Sequence, residues 1–367
     1  MPYGYLTNGI VFAILTLCAL APARRPWLLA EITFVLGLAV NELPQFVGYI
    51  VLAATAAFAA QGGLTSPGAW VAFGLNVLVL VGLAPIVVRG LRARTVLERA
   101  LSTVGIPSIR RRRRWLRILL WPWRTRPAAV RRAANLHYAK DRGALLDVYH
   151  RRSRPAGAPV LIHLHGGAFR SGRKSTQAMP LLYQLAARGW VCISANYRLH
   201  PAQWPAPLVD AKAVVSWAHR HAHEYGGDSA AVFIAGSSAG GHLAADVALT
   251  QGDPPEDESS VVGAIVLGGY FGHTAGAHSS PYDFVRPDAP PFLVVHGTND
   301  NQVPVAQASG FVSALRRAGA PAIVYAELPG TQHGFDLFES VRFASVMDAV
   351  ISFTAWVREQ SNSPTVG

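Results

Sequence analysis

The sequence predicts an α/β domain, a mostly parallel sheet with helices on both faces, preceded by an N-terminal region of transmembrane helices. Three observations lead there. Hydrophobic residues make up 51% of the 367-residue chain and charged residues only 15%, an apolar balance that points to a membrane part. The long apolar runs all lie in residues 7–88. From about Asn135 onward, short Val- and Ile-rich runs alternate with helix-length segments, the pattern of strands buried between crossover helices.

In the first region, "TNGIVFAILTLCALAPA" (7–23) and "WVAFGLNVLVLVGLAPIVV" (70–88) each approach the roughly 20 apolar residues a spanning helix needs. Between them, "WLLAEITFVLGLAVNELPQFVGYIVLAATAAFAA" (27–60) is broken at Asn41-Glu42 and Pro44. It reads as one kinked span or two short ones. No amphipathic face runs through these residues, which excludes helices of a soluble core. "ALAPA" resembles a signal-cleavage site, but no Lys or Arg precedes Arg24, so a retained helix is the better reading. Arg24, Arg25 and the arginines beyond residue 88 belong on the cytoplasmic side. Three spans in residues 1–88 satisfy this with the N-terminus outside, giving a multi-pass cell-membrane protein with a cytoplasmic C-terminal domain. Glu31 and Glu42 find no second charge within the spans and are expected at the interface or inside the helix bundle.

Residues 89–134 form a basic arm. Fourteen arginines and one acid, Glu98, fall between Arg89 and Arg132, so this stretch carries +13 of a net charge of +12. The excess belongs to one connector without lysine and without a nucleic-acid-binding pattern, so no nucleic-acid partner is expected. "IRRRRRWLRILLWPWR" (109–124) joins arginines to Trp, Leu and Ile, which suits a segment lying on a bilayer surface. Two distant cysteines, Cys18 and Cys192, rule out a disulfide framework.

Residues 135–360 carry the strands "APVLIHLH" (158–165), "WVCISANY" (190–197), "AVFIAG" (231–236), "VGAIVLGG" (262–269), "PFLVVHG" (291–297) and "AIVYAEL" (322–328). Amphipathic stretches near 177–188, 208–224, 240–250, 306–318 and 340–358 separate or follow them. Residues 361–367, ending "SNSPTVG", read as a frayed tail.

Chemistry enters at "AGSSAGG" (235–241), directly behind a strand. Gly236-Ser237-Ser238-Ala239-Gly240 fits G-x-S-x-G, with Ser238 on the abrupt strand-to-helix turn where flanking glycines make room. A serine hydroxyl needs a base to take its proton and a third group to orient that base. Asp300 follows the strand "PFLVVHG" and His333 follows "AIVYAEL", giving the chain order Ser, Asp, His at strand carboxyl ends. His296 reads as a brace for the loop carrying Asp300. Asp336 lies too near His333 in sequence to orient it, and Asp283, Asp288 and His278 lack a strand-end position. Oxyanion donors are expected from the glycine-rich "HGGAF", at Gly166, Gly167 and Ala168, and from the amide of Ala239. No His, Cys and Asp cluster has metal-ligand spacing, so no metal or organic cofactor is expected.

These motifs resemble the hormone-sensitive-lipase-like branch of the α/β-hydrolases, and "NYRLHPAQWPAPLVDAKAVVSWAH" (196–219) is similar to that branch as well. The resemblance covers about residues 140–358, and membrane-anchored bacterial carboxylesterases of the branch are similar over the whole chain. It implies an α/β-hydrolase fold and hydrolysis of small-molecule or lipid carboxylic esters. It also implies that Ser238 is the nucleophile, His333 the general base and then acid, and Asp300 the orienting carboxylate. Amide or formamide hydrolysis, acyl transfer, and a non-catalytic membrane scaffold are the alternatives. Two residues depart from the pattern: Ala168 replaces a glycine, and Ser237 stands where the branch often has Asp. The helical cap of typical members is expected to be replaced by the arginine arm.

Overall fold

A computed structural model describes residues 3–109, 111, 113–123, 125–252 and 258–362. Among the described residues four long helices precede the sheet: α1 (Tyr3–Leu20), α2 (Trp27–Glu42), α3 (Pro44–Ala60) and α4 (Pro67–Ser102). Of these, α1 and α4 are long and apolar enough to cross a bilayer. The segment read as one kinked span or two short ones is two helices, α2 and α3, bent by 82°. Pro44 opens α3, where its missing N–H interrupts no helical bond.

The helix directions follow from three contacts. Asn76 Nδ2 donates to the Tyr5 carbonyl oxygen at 3.4 Å, and Arg89 Nη1 donates to that of Leu20 at 3.5 Å. Therefore α1 and α4 run parallel. Tyr5 OH lies 2.9 Å from Thr55 Oγ1, near the end of α3, so α3 runs opposite to both. Val47, Val51, Val79, Leu83 and Ile86 form the buried seam of this bundle. Leu20, Pro44 and Arg89 consequently mark the same end of it.

The eight-stranded sheet has the order β1-β2-β4-β3-β5-β6-β7-β8. Its strands are β1 (Val130–His137), β2 (Leu145–Arg151), β3 (Ala158–Leu164), β4 (Val191–Ala195), β5 (Gly227–Ser237), β6 (Gly263–Leu267), β7 (Phe292–Gly297) and β8 (Ile323–Leu328). Only β2 pairs antiparallel, with β1 and β4; the other neighbours are parallel. The sequence reading contained neither β1 nor β2. β1, "VRRAANLH", is a largely exposed edge strand with no apolar alternation. β2 buries Asp147, whose carboxylate accepts from Lys174 Nζ at 2.7 Å and pairs with Arg132 at 2.6 Å.

Helices α7 (Ala206–His221), α8 (Ala239–Leu249) and α9 (Val305–Arg317) cover one sheet face, packing against Ile162, Ile193, Ile234, Val266 and Val294. On the other face, Leu161, Phe233, Ile265 and Leu293 meet α6 (Met179–Ala187) and α10 (Val341–Asn362). Leu97 and Leu101 join that second core. The boundary expected at residue 89 thus falls inside α4, which leaves the apolar bundle and continues into the core of the sheet domain. The part of the expected tail beyond residue 362 lies outside the described residues.

Three arginines of the arm are anchored to the sheet domain. Arg111 pairs with Asp348, Arg113 Nη2 donates to Ser345 Oγ at 2.7 Å, and Arg117 Nε donates to Glu339 Oε2 at 2.5 Å. These three arginines face acids and hydroxyls at and beside α10. Trp115, Leu116 and Trp121, around α5 (Trp115–Leu120), point outward.

Candidate active site

Ser238 sits between β5 and α8 with φ 55° and ψ −119°, a backbone conformation that non-glycine residues adopt only when their surroundings enforce it. Three bonds hold the turn. Its N–H donates to the Leu267 carbonyl at 3.1 Å, while its own carbonyl accepts from His242 N at 3.1 Å and Tyr270 N at 3.2 Å. A side chain at Gly240 would strike the Leu164 carbonyl, and one at Gly236 would strike Gly240 itself. Both glycines are therefore required by close backbone approach.

Asp300 and His333 meet as the sequence order anticipates. His333 Nδ1 lies 2.7 Å from Asp300 Oδ2; a carboxylate only accepts, so the imidazole donates. Asp300 Oδ1 accepts from the amides of Gln302 at 3.0 Å and Val303 at 2.8 Å. His296 Nε2 stands 3.2 Å from Asp300 Oδ2 and 2.9 Å from the Val303 carbonyl, bracing the loop from the strand side. Burial pushes the Asp300 carboxyl up, but His333 and the two histidine hydrogen bonds outweigh it and hold it well below the carboxylate range. For His333, burial lowers the pKa; the charges of Asp300, Asp336 and Glu31, with the Asp300 hydrogen bond, reverse this and leave it raised.

Ser238 and His333 line one cavity of about 1050 Å³. No hydrogen bond joins them among the described residues, and such contacts are often long before substrate binds. Gly167, Ala168 and Ala239 line the same cavity. Gly167, Ala168 and Phe169 all have positive φ, at 123°, 52° and 57°, so the loop makes a sharp turn over the site. The His165 ring stacks on Tyr197 at 4.5 Å, and the Tyr197 hydroxyl donates to the His165 carbonyl at 2.7 Å. Gly166 must be corrected as an oxyanion donor: its N–H is donated to Gln177 Oε1, and it does not line the cavity.

Other residues depart from the sequence reading. The Ser237 hydroxyl donates to Asp336 Oδ2 at 2.5 Å and lies 3.1 Å from His163 Nε2. Burial pushes the Asp336 carboxyl up, with Ser237 opposing. Glu42 does have a charged partner, in the sheet domain: it pairs with Arg342, and Ser340 Oγ donates to it at 2.7 Å. Glu31 lines the cavity together with Phe34. Phe34 meets the His333 ring edge-on at 6.1 Å. The cap position therefore belongs to α2, not to the arginine arm. The signal was present as a break at Asn41-Glu42, but nothing local says which way the chain turns there. Among the described residues, no group of three or more His, Cys, Asp or Glu has a metal-binding arrangement.

Residues 146–263 match the BD-FAE family and residues 272–362 the prolyl oligopeptidase family. The probable carboxylic ester hydrolase LipM of Mycobacterium tuberculosis is 40% identical, over 54% of this chain and 54% of its own. Esterase LipC of the same organism is 36% identical, over 63% of this chain and 68% of its own. The chain thus spans about half the length of the first relative and about two thirds of the second. A thermophilic esterase of Thermogutta terrifontis, solved with butyrate bound, superposes with a TM-score of 0.53 at 25% identity, covering 64% of this chain and 96% of that one.

Proposed function

The chain belongs to the α/β-hydrolase esterase family that includes esterase LipC; from that membership, and from two helices long and apolar enough to cross a bilayer, we propose that it is a membrane-anchored serine hydrolase of carboxylic esters. The observation that carries this reading is the placement of Ser238 and the Asp300-bonded His333 on the wall of one cavity.

Ser238 Oγ attacks the acyl carbonyl carbon while His333 Nε2 takes its proton. Asp300 holds the ring in the tautomer with hydrogen on Nδ1 and stabilises the imidazolium that forms. The tetrahedral oxyanion receives backbone N–H donors from Gly167, Ala168 and Ala239, a contribution of about a hundred- to a thousandfold per donor in related sites. His333 returns its proton to the departing alkoxide oxygen, leaving Ser238 acylated. Water attacks next, again losing its proton to His333; the carboxylic acid departs and Ser238 recovers its hydrogen.

A fluorophosphonate probe tests this reading. Labelling of the full-length protein, abolished by Ser238→Ala without loss of folding, supports it. Absence of labelling on folded wild-type protein favours a non-catalytic scaffold. The match of residues 272–362 to the prolyl oligopeptidase family gives amide hydrolysis one supporting observation. Paired turnover of a p-nitrophenyl ester and the matching anilide separates the two chemistries.

A further inference from the structure

We propose that α2 is an interfacial helix lying in the bilayer surface as the roof of the catalytic cavity, so that the substrate is an ester drawn from the membrane. This rests on the ester-hydrolase reading and adds the source of the substrate and the side from which it arrives.

Three observations carry it. First, the two sides of α2 face different surroundings. Glu31 and Phe34 line the cavity beside Ser238 and His333. On the outside, Leu28, Ile32, Val35 and Leu36 recur at helical spacing, all exposed, with Val35 at 61% and Trp27 ahead of them at 77%. A helix roofing an aqueous pocket and facing water carries polar residues on its outer side; of the exposed residues of α2, only Glu31, at the cavity edge of this row, is polar.

Second, the orientation of α2 fits the plane of an interface. It is bent by 82° from α3, which runs along the apolar bundle. The break falls where the hydrolase-side ends of the bundle helices meet. Asn41 Nδ2 donates there to the Ala19 carbonyl at 3.2 Å and the Gly330 carbonyl at 2.9 Å. A helix perpendicular to the spans at their common end lies along the membrane surface, with its apolar side toward the acyl chains.

Third, the flanks have interfacial chemistry. Arg24 and Arg25 immediately precede α2 and are exposed. Trp27, and beyond the bundle Trp121 and Trp123, are exposed at the same end; the Trp123 ring lies tilted against Phe46 of α3, at 5.9 Å. Tryptophan and arginine gather at the headgroup level of bilayers. One helix then separates the cavity from the lipid, and an acyl chain reaches Ser238 by passing its edge without crossing water.

The test uses the full chain reconstituted in phosphatidylcholine vesicles. Two esters are compared: 4-methylumbelliferyl palmitate dissolved in the same bilayer, and water-soluble 4-methylumbelliferyl butyrate. The double variant Ile32→Glu with Val35→Glu alters only the outer row. Turnover of the palmitate is expected to fall about tenfold or more, since charge on a lipid-facing surface is disfavoured, while butyrate turnover changes less than about twofold. Unchanged palmitate turnover, or equal loss on both esters, overturns the proposal. A second measurement is independent of catalysis: a fluorophore on Val35→Cys is expected to be quenched by brominated lipid. Cys18 and Cys192 are buried, so the label goes to residue 35. Absence of quenching overturns the membrane placement. If neither ester is turned over, the ester-hydrolase reading falls, and the quenching still decides where α2 lies.

Discussion

Gln332 Nε2 donates to the carbonyl oxygen of Cys18 at 2.8 Å, so the neighbour of His333 is fastened to the last turn of α1. The residues flanking Asp300 are fastened likewise. Asn299 Nδ2 donates to the Leu20 carbonyl at 3.0 Å, and Asn301 Nδ2 to the Ala23 and Ala30 carbonyls at 2.8 Å each. Helix ends leave carbonyl groups without intrahelical partners, and here side chains next to the proposed base and its orienting acid satisfy several of them.

Removing Asn301 should therefore reach the chemistry without touching it. Asn301→Ala is expected to lower kcat on a soluble ester by about ten- to a hundredfold, because small misplacements of reacting groups are costly. Kinetics on butyrate esters beside a thermal melt check this; an unchanged kcat would show that the loop holds its shape alone.

The adjacent serines should behave in opposite ways. Ser238→Ala is expected to lower kcat by about 10⁴- to 10⁶-fold and leave the melting temperature near the wild-type value. Ser237→Ala strips a hydrogen-bond donor from buried Asp336 and a partner from His163. It is expected to cost about 1–3 kcal/mol of stability while fluorophosphonate still labels Ser238. Denaturant unfolding and probe labelling on both variants distinguish the roles.

The pH dependence follows from the charges around His333. Its pKa is raised, so the protonated ring is favoured in the fold. The stability this gives is full below the ordinary imidazole value and is lost as pH rises through the raised one. Activity runs the other way, because only the neutral ring accepts the serine proton. The acid limb of kcat/KM should therefore have its midpoint above about 6.5. Glu31→Gln removes one raising charge and should move that midpoint down. A pH–rate profile with an unshifted limb in the variant would remove Glu31 from the site's electrostatics.

Arg342 and Glu42 form a buried pair between the sheet domain and the end of α2. Arg342→Leu leaves a carboxylate unpaired away from water and is expected to cost about 3–5 kcal/mol. Adding Glu42→Gln should recover much of it, since the stranded charge is gone. Denaturant unfolding in detergent measures both; no recovery would mean that Arg342 acts through packing or through Asn41, which it also contacts at 2.9 Å.

The six strands that carry the site were legible because each is a short apolar run, and all but the edge strand β8 are buried on both faces; Ser238, Asp300 and His333 were read from the ends of three of them. β1 was not legible: an edge strand has one free side and tolerates "VRRAANLH". The use of the Gly166 amide was hidden for a different reason, since Gln177 lies eleven residues away along a loop. Glu31 and Phe34 were hidden most deeply. Their position depends on the turn taken at Leu43, beside which Glu42 pairs with Arg342, some three hundred residues downstream.

The course of α4 has a practical consequence. Because one unbroken helix begins among the apolar N-terminal helices and ends as a structural rib of the hydrolase, there is no hinge at which to cut. Starting a shortened chain at residue 135 would uncover the sheet face that Leu97 and Leu101 shield and would discard most of the edge strand Val130–His137. Such a fragment should aggregate on expression. A soluble derivative needs its break inside α4, ahead of Ala93, with the lower half of the helix retained as part of the enzyme.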